Sequence, residues 1–96
     1  MASPGNNVTV FFEVFGKVQN VFFRKYTQKN ARILGLTGWV MNTKENTVVG
    51  VIQGNEESVN KMKQWLTNEG SPKSKIEKCL FREEIASSFN TFDIRK

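Results

Sequence analysis

The apolar residues of this chain change their spacing from two, to three or four, and back again, twice over. From Val8 to Phe15 they alternate. Val8, Val10, Phe12 and Val14 take one face and Thr9, Phe11, Glu13 and Phe15 the other, which predicts a strand. The strand is expected to break at Gly16. Helical spacing follows, with Phe23, Thr27, Ala31 and Leu34 in a stripe, Phe22, Tyr26 and Ile33 beside it, and Gly35 closing the helix. Leu36 to Asn42 predicts a second strand, Thr43 to Asn46 a hairpin connection, and Thr47 to Gln53 a third strand rich in Val and Ile. Gly54-Asn55 caps a second helix that buries Val59, Met62, Trp65 and Leu66 and ends at Gly70 and Pro72. Ile76 to Ile85 is a fourth strand, and Phe92 and Ile94 lie in a short fifth.

The order β-α-β-β-α-β with an extra terminal strand predicts an α+β, ferredoxin-like split βαβ sandwich, with two helices on one face of a mixed sheet of four to five strands. At 96 residues there is room for one domain, expected over 8–96 behind a flexible polar tail at 1–7. In that topology the first and second strands run parallel with the third between them. Their ends therefore lie on one edge of the sheet, roughly 10 Å apart.

Composition removes several kinds of chemistry. Histidine is absent, so imidazole general acid–base catalysis, Ser–His and Cys–His pairs and imidazole metal sites are excluded. One cysteine, Cys79, cannot form an intramolecular disulfide or a zinc site, which suits a reducing, cytoplasmic setting. In its strand context it is expected to pack as a small hydrophobe rather than act as a nucleophile. No apolar run approaches bilayer length. A formal charge of +5 is spread along the chain, either as a solvated surface or as attraction for an anionic ligand. Any chemistry must rest on positioning, hydrogen bonds and fixed charge, without metal or cofactor.

The run Gly16-Lys17-Val18-Gln19-Asn20-Val21-Phe22-Phe23-Arg24 joins strand to helix through a glycine-opened loop. The first N–H groups of the helix lack intrahelical partners, and the macrodipole adds about half a positive charge there. Most such loops only connect elements. Arg24, expected one turn inside the helix, strengthens the anion-binding reading, because a guanidinium grips two phosphate oxygens at once. Its alternative is an exposed arginine paired with a carboxylate. Asn42, at the strand end across the sheet, is either a turn residue or an amide that holds a water molecule, and Thr43 beside it is a turn residue.

That run, together with Gly38-Trp39-Val40-Met41-Asn42, Gly50, Gly54, Trp65 and Gly70-Ser71-Pro72-Lys73-Ser74, resembles the acylphosphatase family over nearly the whole chain. The resemblance implies metal-independent hydrolysis of the carboxyl-phosphate bond of acyl phosphates. It also implies that Arg24 and the amides of Gly16–Phe22 bind the phosphate and that Asn42, supported by Thr43, orients the attacking water. The substrate would be a small molecule. A monomer is expected separately, as the default for a domain this small with no evident apolar surface stripe. The chain departs from the family pattern at Asn20, where glycine is usual. If the native φ at 20 is positive, Asn costs more than Gly there, so Asn20→Gly is expected to raise kcat/KM and lower KM; steady-state kinetics with benzoyl phosphate measure this, and unchanged constants would remove the idea.

The same element order occurs in RNA-recognition domains, which need aromatics on the exposed face of the central strands. The third strand, Thr47 to Gln53, has none, and no nucleic-acid partner is expected.

Overall fold

In the computed structural model, which describes residues 7–19, 22–84 and 88–95, the period-two segment forms β1 (Asn7–Lys17). Val10, Phe12 and Val14 are buried under the helices, while Thr9, Phe11, Glu13 and Phe15 are half-buried on the other face. The strand does not break at Gly16. A bulge between Phe15 and Gly16 shifts the register, and pairing continues through Gly16–Ile76 and Lys17–Lys75. Gly16 has φ 128°, and a Cβ there would collide with the backbone carbonyl of Lys75. Its glycine thus serves a close approach of two strands. At the other end, Asn7 pairs with Asn55 and so belongs to β1 rather than to the tail, whose residues 1–6 lie outside those described.

The first helical stripe becomes α1 (Phe23–Ile33), which buries Phe23, Thr27 and Ala31. Leu34 caps it, and Leu36 N–H donates to the Ala31 carbonyl at 2.8 Å as the chain turns. Phe22, Tyr26 and Ile33, expected beside the stripe, are instead exposed, Phe22 to 72% and Ile33 to 71%. The buried face is narrow because every fourth residue from Phe23 already fills the space above the sheet. β2 (Thr37–Asn42) and β3 (Val48–Asn55) form the hairpin. β3 runs two residues further than its apolar pattern, through Gly54 to Asn55, whose side chain then accepts from Glu57 N–H at 2.8 Å to start α2 (Glu56–Asn68). α2 buries Val59, Met62 and Leu66, with Trp65 tilted against Phe23 at 5.7 Å between ring centres. β4 (Lys75–Glu83) and β5 (Phe92–Arg95) complete the chain, and Ile85 lies outside the described residues.

The sheet order is β4-β1-β3-β2-β5, with β5 parallel to β2 and every other neighbour antiparallel. α1 lies over β2 and β5, and α2 over β1, β3 and β4, so both helices cover one face. Val48, the first residue of β3, sits opposite Val14 on one side and Asn42 on the other. Val14 of β1 and Asn42 at the end of β2 are therefore held two strand spacings apart by backbone pairing, and β1 runs on three residues further, paired with β4, to its exit at Lys17.

Candidate active site

The expected loop is shorter than its sequence suggests, because Gly16 and Lys17 are strand residues. Asn20 and Val21 lie outside the described residues. Val18 is 1% exposed and packs into the core, so only its backbone faces the connection. Gln19 does something its sequence position did not announce. Its side-chain amide donates to the carbonyls of Thr43 at 3.0 Å and Thr47 at 2.8 Å, tying the β1–α1 connection to the β2–β3 hairpin.

Phe22 precedes α1 with φ 59° and ψ 24°, in the left-handed region. No side chain caps this helix, and its first turn holds no acidic residue, whereas α2 has Asn55 as a cap and Glu56 and Glu57 in its first turn. The orphan N–H groups and the positive end of the α1 dipole are left for another acceptor. Arg24 is the second residue of α1, within the first turn rather than a turn inside. It is half-buried, and among the described residues it pairs with no carboxylate; its Nη1 donates to the Arg95 carbonyl of β5 at 3.3 Å. That single bond leaves the other guanidinium N–H groups available.

A recess of about 130 Å³ brings the two directions together. Phe22, Arg24 and Lys25 line it from the helix side, Asn42 from β2 and Ile94 from β5, with Val18 beneath. The Asn42 carboxamide oxygen is buried and has no hydrogen-bond partner among the described residues. Thr43 anchors the turn that follows. Its hydroxyl accepts from Glu45 N–H at 3.2 Å and Thr47 N–H at 3.1 Å and lies 2.7 Å from the Thr47 hydroxyl, which donates to Glu13 at 2.8 Å. This chain of bonds fixes the hairpin against β1, and Gln19 fixes the connection against the hairpin. Local sequence placed Gln19 in the loop but missed the tie its side chain makes, and it missed Thr47, Glu13 and the Arg95 carbonyl, because the segments they join are distant in the chain. The repeated Thr at 43 and 47, flanking the turn, was the only available signal.

Cys79 packs against the core from β4, and burial pushes its thiol up to about 12. At neutral pH it is a protonated, poor nucleophile. The open face of the sheet carries Phe11 and Phe15 on the central strand β1 and Trp39 on β2, while β3 contributes no aromatic. Each ring is covered by a cation: Arg82 over Phe11 at 5.0 Å, Lys78 over Phe15 at 4.7 Å and Arg95 over Trp39 at 4.5 Å.

The model of the acylphosphatase family matches residues 10–94. Over 84 residues the sequence is 56% identical to acylphosphatase-1 of Xenopus laevis, covering 88% of this chain and 85% of that one. It is 49% identical to acylphosphatase-2 of Bos taurus over 90 residues, or 91% of each chain. Among solved structures, an acylphosphatase from Coxiella burnetii superposes with a TM-score of 0.89 at 34% identity, over 94% of both chains.

Proposed function

This chain belongs to the acylphosphatase family and hydrolyses acyl phosphates, and we propose that Arg24 and the β1–α1 backbone hold the phosphate while Asn42 orients the attacking water. One observation carries the assignment: Asn42, whose buried carboxamide oxygen has no hydrogen-bond partner among the described residues, lines the same recess as Arg24. A buried acceptor without a partner costs free energy unless something arrives to satisfy it. A water molecule bound between Asn42 and the substrate supplies that partner. The start of α1, which no side chain caps, and the guanidinium N–H groups without a partner among the described residues supply donors for the phosphate oxygens.

The reaction needs little else. The water oxygen bonds to phosphorus, the bond from phosphorus to the acyl oxygen breaks, and its electron pair leaves with the carboxylate. The water proton passes to a phosphate oxygen. A carboxylate has a conjugate-acid pKa of about 4, so it departs without a general acid. Positioning and charge stabilisation then provide the acceleration. Glu13 is engaged by Thr47 and is a support of the hairpin in this scheme, not a base.

Hydrolysis of benzoyl phosphate and acetyl phosphate, followed spectroscopically with EDTA present, tests this reading. Full activity in EDTA is expected, and dependence on added metal would overturn the metal-independent mechanism. We further propose a cytoplasmic monomer without a nucleic-acid partner. The lone thiol suits a reducing compartment. Lys75, Glu77, Lys78, Arg82 and Glu83 charge the β4 edge against pairing with another sheet. The cations over Phe11, Phe15 and Trp39 occupy the faces on which bases would stack.

A further inference from the structure

The phosphate recess leaves the acyl half of the substrate unaccounted for. A second recess of about 130 Å³ adjoins it, lined by Phe22, Tyr26, Pro72 and Lys73, and Phe22 borders both. Strand order fixes their relation. Along this end of the sheet come Asn42 on β2, then β3, then the β1–α1 connection, then the Pro72–Lys73 segment entering β4. Asn42 and Pro72 thus lie on opposite sides of the connection that presents Phe22. In-line displacement puts the attacking and leaving oxygens on opposite sides of phosphorus. With water held at Asn42, the departing carboxylate points toward Phe22 and Pro72.

The chemistry of this second recess fits an acyl group. Phe22 is 72% exposed and Tyr26 38%, and Tyr26 N–H donates to the Phe22 carbonyl at 3.0 Å, which stacks the two residues one helical turn apart. Pro72 closes the apolar wall, and Lys73 puts a cation at its rim. A cavity of about 150 Å³ in an engineered protein core accepts benzene, so the space suits a ring of that size. Phe22 also holds a left-handed backbone that bulky residues rarely adopt, and it does so without burying its side chain. Core packing does not explain such a ring. A ligand does.

We propose that this recess is the acyl-group subsite and that Phe22 and Tyr26 select aromatic acyl phosphates by ring contact. The proposal rests on the Arg24–Asn42 assignment of the phosphate end. Its test compares kcat/KM for benzoyl phosphate and acetyl phosphate in the unmodified enzyme, Phe22→Ala and Tyr26→Ala, with the inhibition constant of inorganic phosphate measured alongside. The benzoyl-to-acetyl ratio is expected to fall about three- to tenfold in each variant, and the phosphate inhibition constant to move less than the ratio. The intrinsic reactivity of the two substrates cancels in this comparison. A ratio unchanged in both variants, or equal losses on both substrates, overturns the subsite. Tyr26 is an exposed helix residue, so Tyr26→Ala decides the matter even where Phe22→Ala fails to fold. An Arg24→Lys variant that keeps full activity would instead remove the phosphate-end assignment.

Discussion

Arg24→Lys is expected to lower kcat/KM for benzoyl phosphate by roughly 10²–10³-fold while leaving the fold intact. The guanidinium borders the recess, where it donates once to the Arg95 carbonyl, and its planar fork carries further donors. A phosphate that loosens toward metaphosphate in the transition state spreads charge over several oxygens, and a planar fork meets two of them together. Lysine keeps the charge, but as a single flexible point, and it has no geometry with which to bond Arg95 and two phosphate oxygens at once. Stability should barely respond, because Arg24 is half-buried and its one hydrogen bond among the described residues is long at 3.3 Å. Steady-state kinetics with circular dichroism as a folding control check this. Near-normal turnover would refute the role given to Arg24.

Asn42→Ala is expected to lower kcat by roughly 10²–10³-fold, with the inhibition constant of inorganic phosphate changed less than about threefold. The split follows from geometry. In the proposed arrangement Arg24 and the start of α1 hold the phosphate from one side, while Asn42 ends β2 on the other and holds the nucleophile. Removing the carboxamide should free the water without loosening the anion. The thermal midpoint gives a second readout. The Asn42 oxygen has no partner among the described residues, and leaving such an acceptor buried costs about 1–3 kcal/mol. The alanine variant should therefore be at least as stable as the parent although nearly inactive. A variant that lost stability and phosphate affinity together would mark Asn42 as a structural residue.

Topology was legible because periodicity alone distinguishes strand from helix, and Val10, Phe12, Val14, Phe23, Thr27 and Ala31 kept the faces their spacing assigned. Asn42 and the recess it shares with Arg24 followed from strand order, which places Asn42 two strands from the exit of β1. What stayed hidden was set by contacts between distant segments. Gly16 read as a strand breaker, yet it is required where β1 crowds Lys75, a residue far along the chain. Gln19 read as a polar loop residue, yet its amide reaches two hairpin carbonyls, which no local pattern encodes. Phe22 read as a residue beside the apolar stripe, but it is exposed and holds a left-handed backbone, a conformation that a sequence gives no reason to expect of phenylalanine.

Val48, paired on both sides, makes the peptide backbone itself the ruler of this enzyme. In the proposed site the gap between anion and water is referred to the Val14–Val48–Asn42 strand spacings, which are nearly the same whatever side chains the strands carry. Mutational drift can therefore exchange interior residues one after another without detuning the distance over which the chemistry occurs. What selection must guard is the pairing register and the few groups standing at either end of the measure. A small protein built this way can age quickly in sequence and slowly in function.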